Sequence, residues 1–115
     1  GFIAPLDEIT ALAKKYGASF VGANCGAGIE TFVNIAKQFA ACGTDIPIWV
    51  KGNAGKAQVD DSGKTVYKAL PQAYSDAVPE LLAAGAKFIG GCCGSSPEHI
   101  KAVAQAMKAA LGASV

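Results

Sequence analysis

Phe88-Ile89-Gly90-Gly91-Cys92-Cys93-Gly94-Ser95-Ser96-Pro97-Glu98-His99-Ile100 is the stretch on which the reading of this chain turns. Phe88-Ile89 is apolar, follows the Gly85-Ala86-Lys87 turn and stops at Gly90-Gly91, as a short buried parallel strand does. Ser95 or Ser96 can cap the helix that follows. Ser95 and Glu98 have capping-box spacing, and Pro97 suits a first helical turn. Two adjacent cysteines therefore fall at the carboxyl end of a strand, the rim where open and closed α/β sheets keep their sites. Neighbours in a regular strand point to opposite faces. Cys92 and Cys93 can meet one ligand only if the strand stops or kinks, and Gly90, Gly91 and Gly94 make that departure cheap. The plain alternative is a pair of buried thiols that pack as small hydrophobes.

Working outward, strand-like and helix-like segments alternate. Leu6 to Tyr16 reads as a helix with Leu6, Ile9, Leu12, Ala13 and Tyr16 on one face, ended by Gly17. Ala18 to Ala23 reads as a short strand that runs into a glycine-rich turn, Asn24-Cys25-Gly26-Ala27-Gly28. A second helix spans about Ile29 to Ala41, with Gly43 as its stop. Ile46 to Val50 is the next strand, and it leads into Lys51-Gly52-Asn53-Ala54-Gly55. Lys56 to Tyr67 breaks the rhythm; its turn cluster Asp60-Asp61-Ser62-Gly63 and the β-prone Thr65-Val66-Tyr67 predict a small hairpin. A third helix is expected from about Ser75, with Val78, Leu81 and Leu82 inward and Pro79 in about its first turn. The last helix runs from Pro97 to about Leu111 and is expected to bury Ile100, Val103, Met107 and Leu111.

Strands that alternate with helices imply parallel strands joined by right-handed crossovers. Runs such as Ile48-Trp49-Val50 imply strands covered on both faces. The strand ends then share one rim, which carries Asn24-Cys25, Asn53 and Cys92-Cys93. Cys42 falls at a helix end on the opposite rim and is assigned a packing role.

The 115 residues suffice for one small domain. No apolar run is long enough to span a bilayer, and the amino terminus lacks the pattern of a signal peptide. A net charge of +1, with no basic stripe, argues against nucleic acid as a partner. Four cysteines without a secretory signal point to the reducing cytosol, and to metal or catalysis before disulfides.

Three thiols on one rim suit Zn²⁺, which favours four tetrahedral ligands and in catalytic sites takes three from the protein. Three thiolates leave such a complex at net −1, and an electron-rich centre of that kind suits activation of a further thiol. His99, the single histidine, reads as a surface or supporting residue rather than a ligand. A dinucleotide loop fails, because Gly26-Ala27-Gly28 is followed by Ile29-Glu30-Thr31. A redox dithiol lacks its C-x-x-C spacing, although a thiol–disulfide device stays open.

Gly22-Ala23-Asn24-Cys25-Gly26, Asn53-Ala54-Gly55-Lys56, Gly63-Lys64-Thr65-Val66-Tyr67 and the Gly90-to-Ile100 stretch resemble the homocysteine S-methyltransferase family, over nearly the whole chain. The resemblance implies a zinc-dependent enzyme on a (β/α)₈ TIM barrel, with zinc held by Cys25, Cys92 and Cys93. It implies a strand-end asparagine, Asn53, as a possible fourth ligand without substrate, and Asn24 as a pocket wall or an alternative; both are substrate-binding candidates. It implies methyl transfer to homocysteine giving methionine, with cobalamin as methyl carrier on another domain or protein. The departure is length. Residues 1–115 would be the C-terminal three βα units of the barrel, so the remaining strands, or another chain, are expected partners, with a corrinoid-binding domain beside them. The alternatives are a non-catalytic zinc-binding α/β fragment, or a methyltransferase that uses a betaine or sulfonium donor.

Overall fold

Helix-forming and strand-forming segments take turns along the chain, and the structure, a computed structural model that describes residues 6–43 and 45–112, keeps that order. The elements are α1 (Leu6–Tyr16), β1 (Val21–Gly28), α2 (Thr31–Ala41), β2 (Ile48–Asn53), β3 (Gln58–Val59), β4 (Thr65–Val66), α3 (Pro71–Ala83), β5 (Ala86–Gly91) and α4 (Pro97–Ala110). β1, β2 and β5 form one sheet in that spatial order, and both pairings are parallel. The expected excursion is a separate antiparallel pair, β3 with β4. Asp60 shapes its turn by accepting hydrogen bonds from the Ser62 and Lys64 amides. This is an α/β fold with a parallel sheet.

The period of two along each strand decides where the core lies. Val21, Ile48, Val50 and Ala86 project to one face and meet Phe32, Ala36, Phe39, Val78, Leu81 and Val103 from the helices, all of them buried. The opposite face carries Phe20, Trp49 and Phe88, whose ring centroids lie 5.0–5.8 Å apart. Phe20 and Phe88 are each 45% exposed, so the expectation of a sheet covered on both faces is met on one face only. The shape agrees: a radius of gyration of 14.9 Å and a least extent of 19 Å describe a slab, whereas a rounded domain of this length would have a radius of about 13 Å.

Several boundaries and burials depart from the sequence expectations. α3 begins at Pro71 rather than near Ser75, with extended Leu70 as its N-cap and the proline in the first turn. Pro79 is therefore an interior residue, where it cannot donate to the carbonyl of Ser75. β1 continues through the stretch expected to be a turn and ends at Gly28. Leu12 and Tyr16 of α1 are 54% and 74% exposed, because α1 lies at one margin of the sheet and packs chiefly on α2 and β1. Ile100 of α4 and Leu111 at its C-cap are also exposed; α4 buries Val103 as expected, together with His99. Among the described residues, no helix is long and apolar enough to cross a membrane.

One close approach fixes α2 against the sheet. A methyl group at Gly52 would lie 2.6 Å from the Cα of Ile29, which is itself fully buried. At Gly90, on the open face, the same methyl would meet only the Lys51 side chain at 3.4 Å and Trp49 Nε1 at 4.0 Å. Gly52→Ala is expected to cost about 1–3 kcal/mol through overpacking, and Gly90→Ala less than about 0.5 kcal/mol. Urea unfolding of the two variants checks the contrast.

Candidate metal centre

The carboxyl ends of β1, β2 and β5 share one rim, and each delivers a side chain by a different backbone device. On β1 the register slips: Asn24 pairs with Lys51 and Gly28 with Asn53, so residues 25–27 stand opposite Gly52 alone. Such a bulge re-aims side chains. At its start Cys25 has φ 62°, the one non-glycine residue in the left-handed region among those described. Holding it there costs on the order of 1–3 kcal/mol, the kind of strain that clusters at functional sites.

β5 ends differently. The Cys92 amide donates to the Gly52 carbonyl at 2.9 Å, and the Cys92 carbonyl accepts from the Ser95 amide at 3.1 Å and from the Ser95 hydroxyl. The chain turns at once, with Gly94 at φ 79°. The Cys93 amide donates to Asn53 Oδ1 at 3.1 Å, and its carbonyl accepts from the Ala54 amide at 3.0 Å. The strand pairing is thus replaced by bonds that hold both cysteines beside the end of β2. The kink expected from the glycines is present.

The result is a cluster. Cys93 Sγ lies 3.5 Å from Cys25 Sγ and 4.0 Å from Cys92 Sγ, and all three sulfurs fall within 4.8 Å of one another. None forms a disulfide. Tetrahedral thiolate ligation at about 2.3 Å sets sulfurs about 3.8 Å apart, so the donor set fits one zinc ion in both chemistry and spacing. Hydrogen bonds with Cys25 and Cys92, and then their charge, hold the Cys93 thiol above the ordinary cysteine range. Crowded thiolates repel, and a divalent cation reverses that sign.

Asn24 Nδ2 lies 3.8 Å from Cys92 Sγ. Asn24 also lines a shallow depression of about 250 Å³ on the open face, with Phe20, Trp49 and Lys51. Asn53 is buried, and its oxygen is engaged by the Cys93 amide. Cys42 stands apart at the end of α2, its thiol donating to the Gln38 carbonyl at 3.2 Å.

One supporting residue, Tyr74, escaped the sequence reading, and for a second, His99, the structure decides between the surface and supporting roles left open. The buried Tyr74 hydroxyl donates to the Gly52 carbonyl at 2.6 Å. An apolar stripe holding Tyr74, Ala77, Val78 and Leu81 was the available signal, because a buried tyrosine needs a partner for its hydroxyl. His99 is buried rather than superficial. It forms the α4 capping box with Ser96, in place of the Ser95 and Glu98 spacing. Its Nδ1 accepts from the Ser96 amide at 3.1 Å, which leaves Nε2 to donate to the Ala69 carbonyl at 2.8 Å.

Comparison with known proteins gives a consistent picture. The profile of the family described as homocysteine S-methyltransferase matches residues 4–107. A protein named methionine synthase from Mycobacterium tuberculosis is 32% identical over 95 residues, covering 82% of this chain and 8% of that protein. Its namesake from Mycobacterium leprae is 30% identical over 98 residues, covering 84% of this chain and again 8% of the relative. The chain thus spans less than a tenth of the length of the relatives it matches.

In the metal-free chain, the raised pKa of Cys93 means less thiolate at any given pH, hence slower alkylation. The pH of half-maximal iodoacetamide labelling at Cys93 is expected above that of cysteine in a short unstructured peptide. Peptide mass mapping across a pH series measures it.

Proposed function

The chain belongs to the homocysteine S-methyltransferase family, and we propose that it carries the metal-binding end of an enzyme that methylates the thiol of homocysteine to give methionine. The observation that carries this reading is the meeting of three sulfurs, from cysteines 68 residues apart and adjacent, within 4.8 Å at one sheet rim. Cys25, Cys92 and Cys93 hold zinc, with Asn53 as a fourth, displaceable ligand when substrate is absent.

When bound, zinc supplies the Lewis acidity that lowers the pKa of an incoming thiol, and it contributes no redox chemistry. The chain's own residues do the rest. The bulge at Cys25 and the turn at Gly94 pre-set the three sulfurs, so little rearrangement accompanies binding. Asn53 locks the Cys93 backbone to the end of β2. Asn24, beside Cys92 and lining the depression on the open face, forms a wall of the homocysteine pocket.

Residues 1–115 correspond in this reading to the C-terminal part of a homocysteine-binding domain, the last three βα units of a (β/α)₈ barrel. The helices on one face, the bare aromatic face opposite, and the single sheet partner of both β1 and β5 support it. Further strands pair with those two edges and close over Phe20, Trp49 and Phe88. Cobalamin is the methyl carrier, bound on another domain, in keeping with relatives named methionine synthase that extend far beyond this segment.

Metal analysis and thiol titration of the natural gene product test the proposal. One zinc and one homocysteine per chain are expected. Cys92→Ala should weaken zinc binding by more than about 100-fold, while Cys42→Ala leaves it unchanged. Affinity should fall as pH falls, because zinc must displace thiol protons. Equal loss in both variants would overturn the ligand assignment, and zinc without homocysteine uptake would favour a non-catalytic metal module.

A further inference from the structure

A lysine stands among the aromatic rings of the bare sheet face. Lys51 is half-buried and pairs in register with Asn24 of β1 on one side and Gly90 of β5 on the other. Its stem lies across Gly90, since a methyl group there would meet Lys51 Cγ at 3.4 Å and Cδ at 3.7 Å. Its ammonium lies 5.6 Å from the ring centre of Trp49, which stands one strand repeat farther from the sulfur rim. The cation is thus turned along the aromatic face and not toward the cysteines. None of the residues of β1, β2 and β5 is acidic.

An ammonium beside an indole is well placed while water reaches it. Under a cover it needs more, because a charge taken out of water requires an opposite charge and hydrogen bonds in its place. The sheet calls for a cover: among the described residues β1 and β5 have one sheet partner each, and Phe20 and Phe88 are exposed between those edges. A second copy of the same face fits poorly. An isologous contact would bring a second Lys51 and the same acid-free strands, so like charges would be buried together. A substrate carboxylate held near the sulfurs is also a poor match, since Lys51 leans away from them. The depression of about 250 Å³ that Lys51 lines with Trp49, Phe20 and Asn24 has room for a side chain reaching in from a covering layer.

We propose that the strands of the same gene product that close over this face present one aspartate or glutamate to Lys51, within a layer otherwise apolar and packed on Phe20, Trp49 and Phe88. The inference rests on the barrel reading above and adds to it the chemistry of the covering partner. The ion pair gives the closing strands a register. A slip by one residue would turn the carboxylate to the other face and leave Lys51 buried alone. Because β2 ends two residues later at Asn53, which holds the Cys93 amide, that register also sets the covering layer against the sulfur cluster.

The test uses the natural gene product. Acetylation of Lys51, followed by peptide mass mapping, is expected to run about ten-fold or more slower than that of Lys101 and Lys108 on the outer side of α4. Lys51→Met should lower the urea concentration at which the β2 peptide loses hydrogen-exchange protection, by on the order of 1 M, because it leaves a carboxylate buried and unpaired. Screening Asp→Asn and Glu→Gln replacements outside residues 1–115 in that background should find one that restores the midpoint. The wild-type acetylation and the screen keep the test decisive if Lys51→Met alone folds poorly. If Lys51 is protected but no acidic residue rescues the variant, the cover is purely apolar and this inference fails alone. If Lys51 reacts as fast as Lys101 and Lys108, the face is bare in the whole protein and the barrel reading fails with it. A Lys51→Met protein that keeps its midpoint but loses homocysteine uptake overturns the inference in favour of a substrate anion.

Discussion

The carbonyl of Gly52 is the point on which the architecture rests. It is buried near the end of β2 and accepts two hydrogen bonds, from the Tyr74 hydroxyl at 2.6 Å and from the Cys92 amide at 2.9 Å. The first ties α3 to the sheet, and the second sets where β5 ends. The missing side chain of the same residue lets Ile29, just before α2, approach the strand backbone. One peptide unit thus joins two strands and two helical segments one residue before Asn53, which in turn holds the Cys93 amide. A buried acceptor with both lone pairs engaged is costly to disturb, because each donor would lose its partner together with it.

Much of this was legible in the residues. The alternation of strand and helix signals predicted parallel pairing, and parallel pairing alone gathers Cys25, Cys92 and Cys93 on one rim. Glycines around the vicinal pair announced a break in the strand, and Gly94 supplies it. What escaped depended on contacts distant in sequence. Nothing local says that Cys25 should take a left-handed conformation inside a bulge, since the pairing with β2 imposes it. His99 reads as either a surface or a supporting residue, and only the Ala69 carbonyl, 30 residues away, which receives its proton, decides for the second. The late placement of α3 followed from reading Pro79 as a first-turn proline when Pro71 held that place.

Four of the exposed apolar residues have a common origin. Phe20, Phe88, Leu12 and Tyr16 lie on the bare sheet face or along its margin, not scattered at random. Periodicity identifies a residue as apolar-facing without saying whether a neighbour is present to face it. Sequence reasoning assumed a cover on each side, and among the described residues the helices supply only one. The same bareness leaves open the depression that Asn24 and Lys51 line, and Asn24 reaches from it to within 3.8 Å of Cys92 Sγ. A preformed and strained sulfur cluster therefore stands at the edge of a bare surface.

That bare surface also bears the chain's single tryptophan. Trp49 sits in the middle strand, in edge contact with Phe20 at 5.0 Å, and the Lys51 ammonium lies 5.6 Å from its ring. An indole so placed is an intrinsic optical gauge. Water and a nearby cation govern its emission while the face is bare, and both change on any covering of that face. Because the same strand ends in Asn53, beside the sulfurs, this fluorophore reports on whatever covers the face next to the cluster without any label being added.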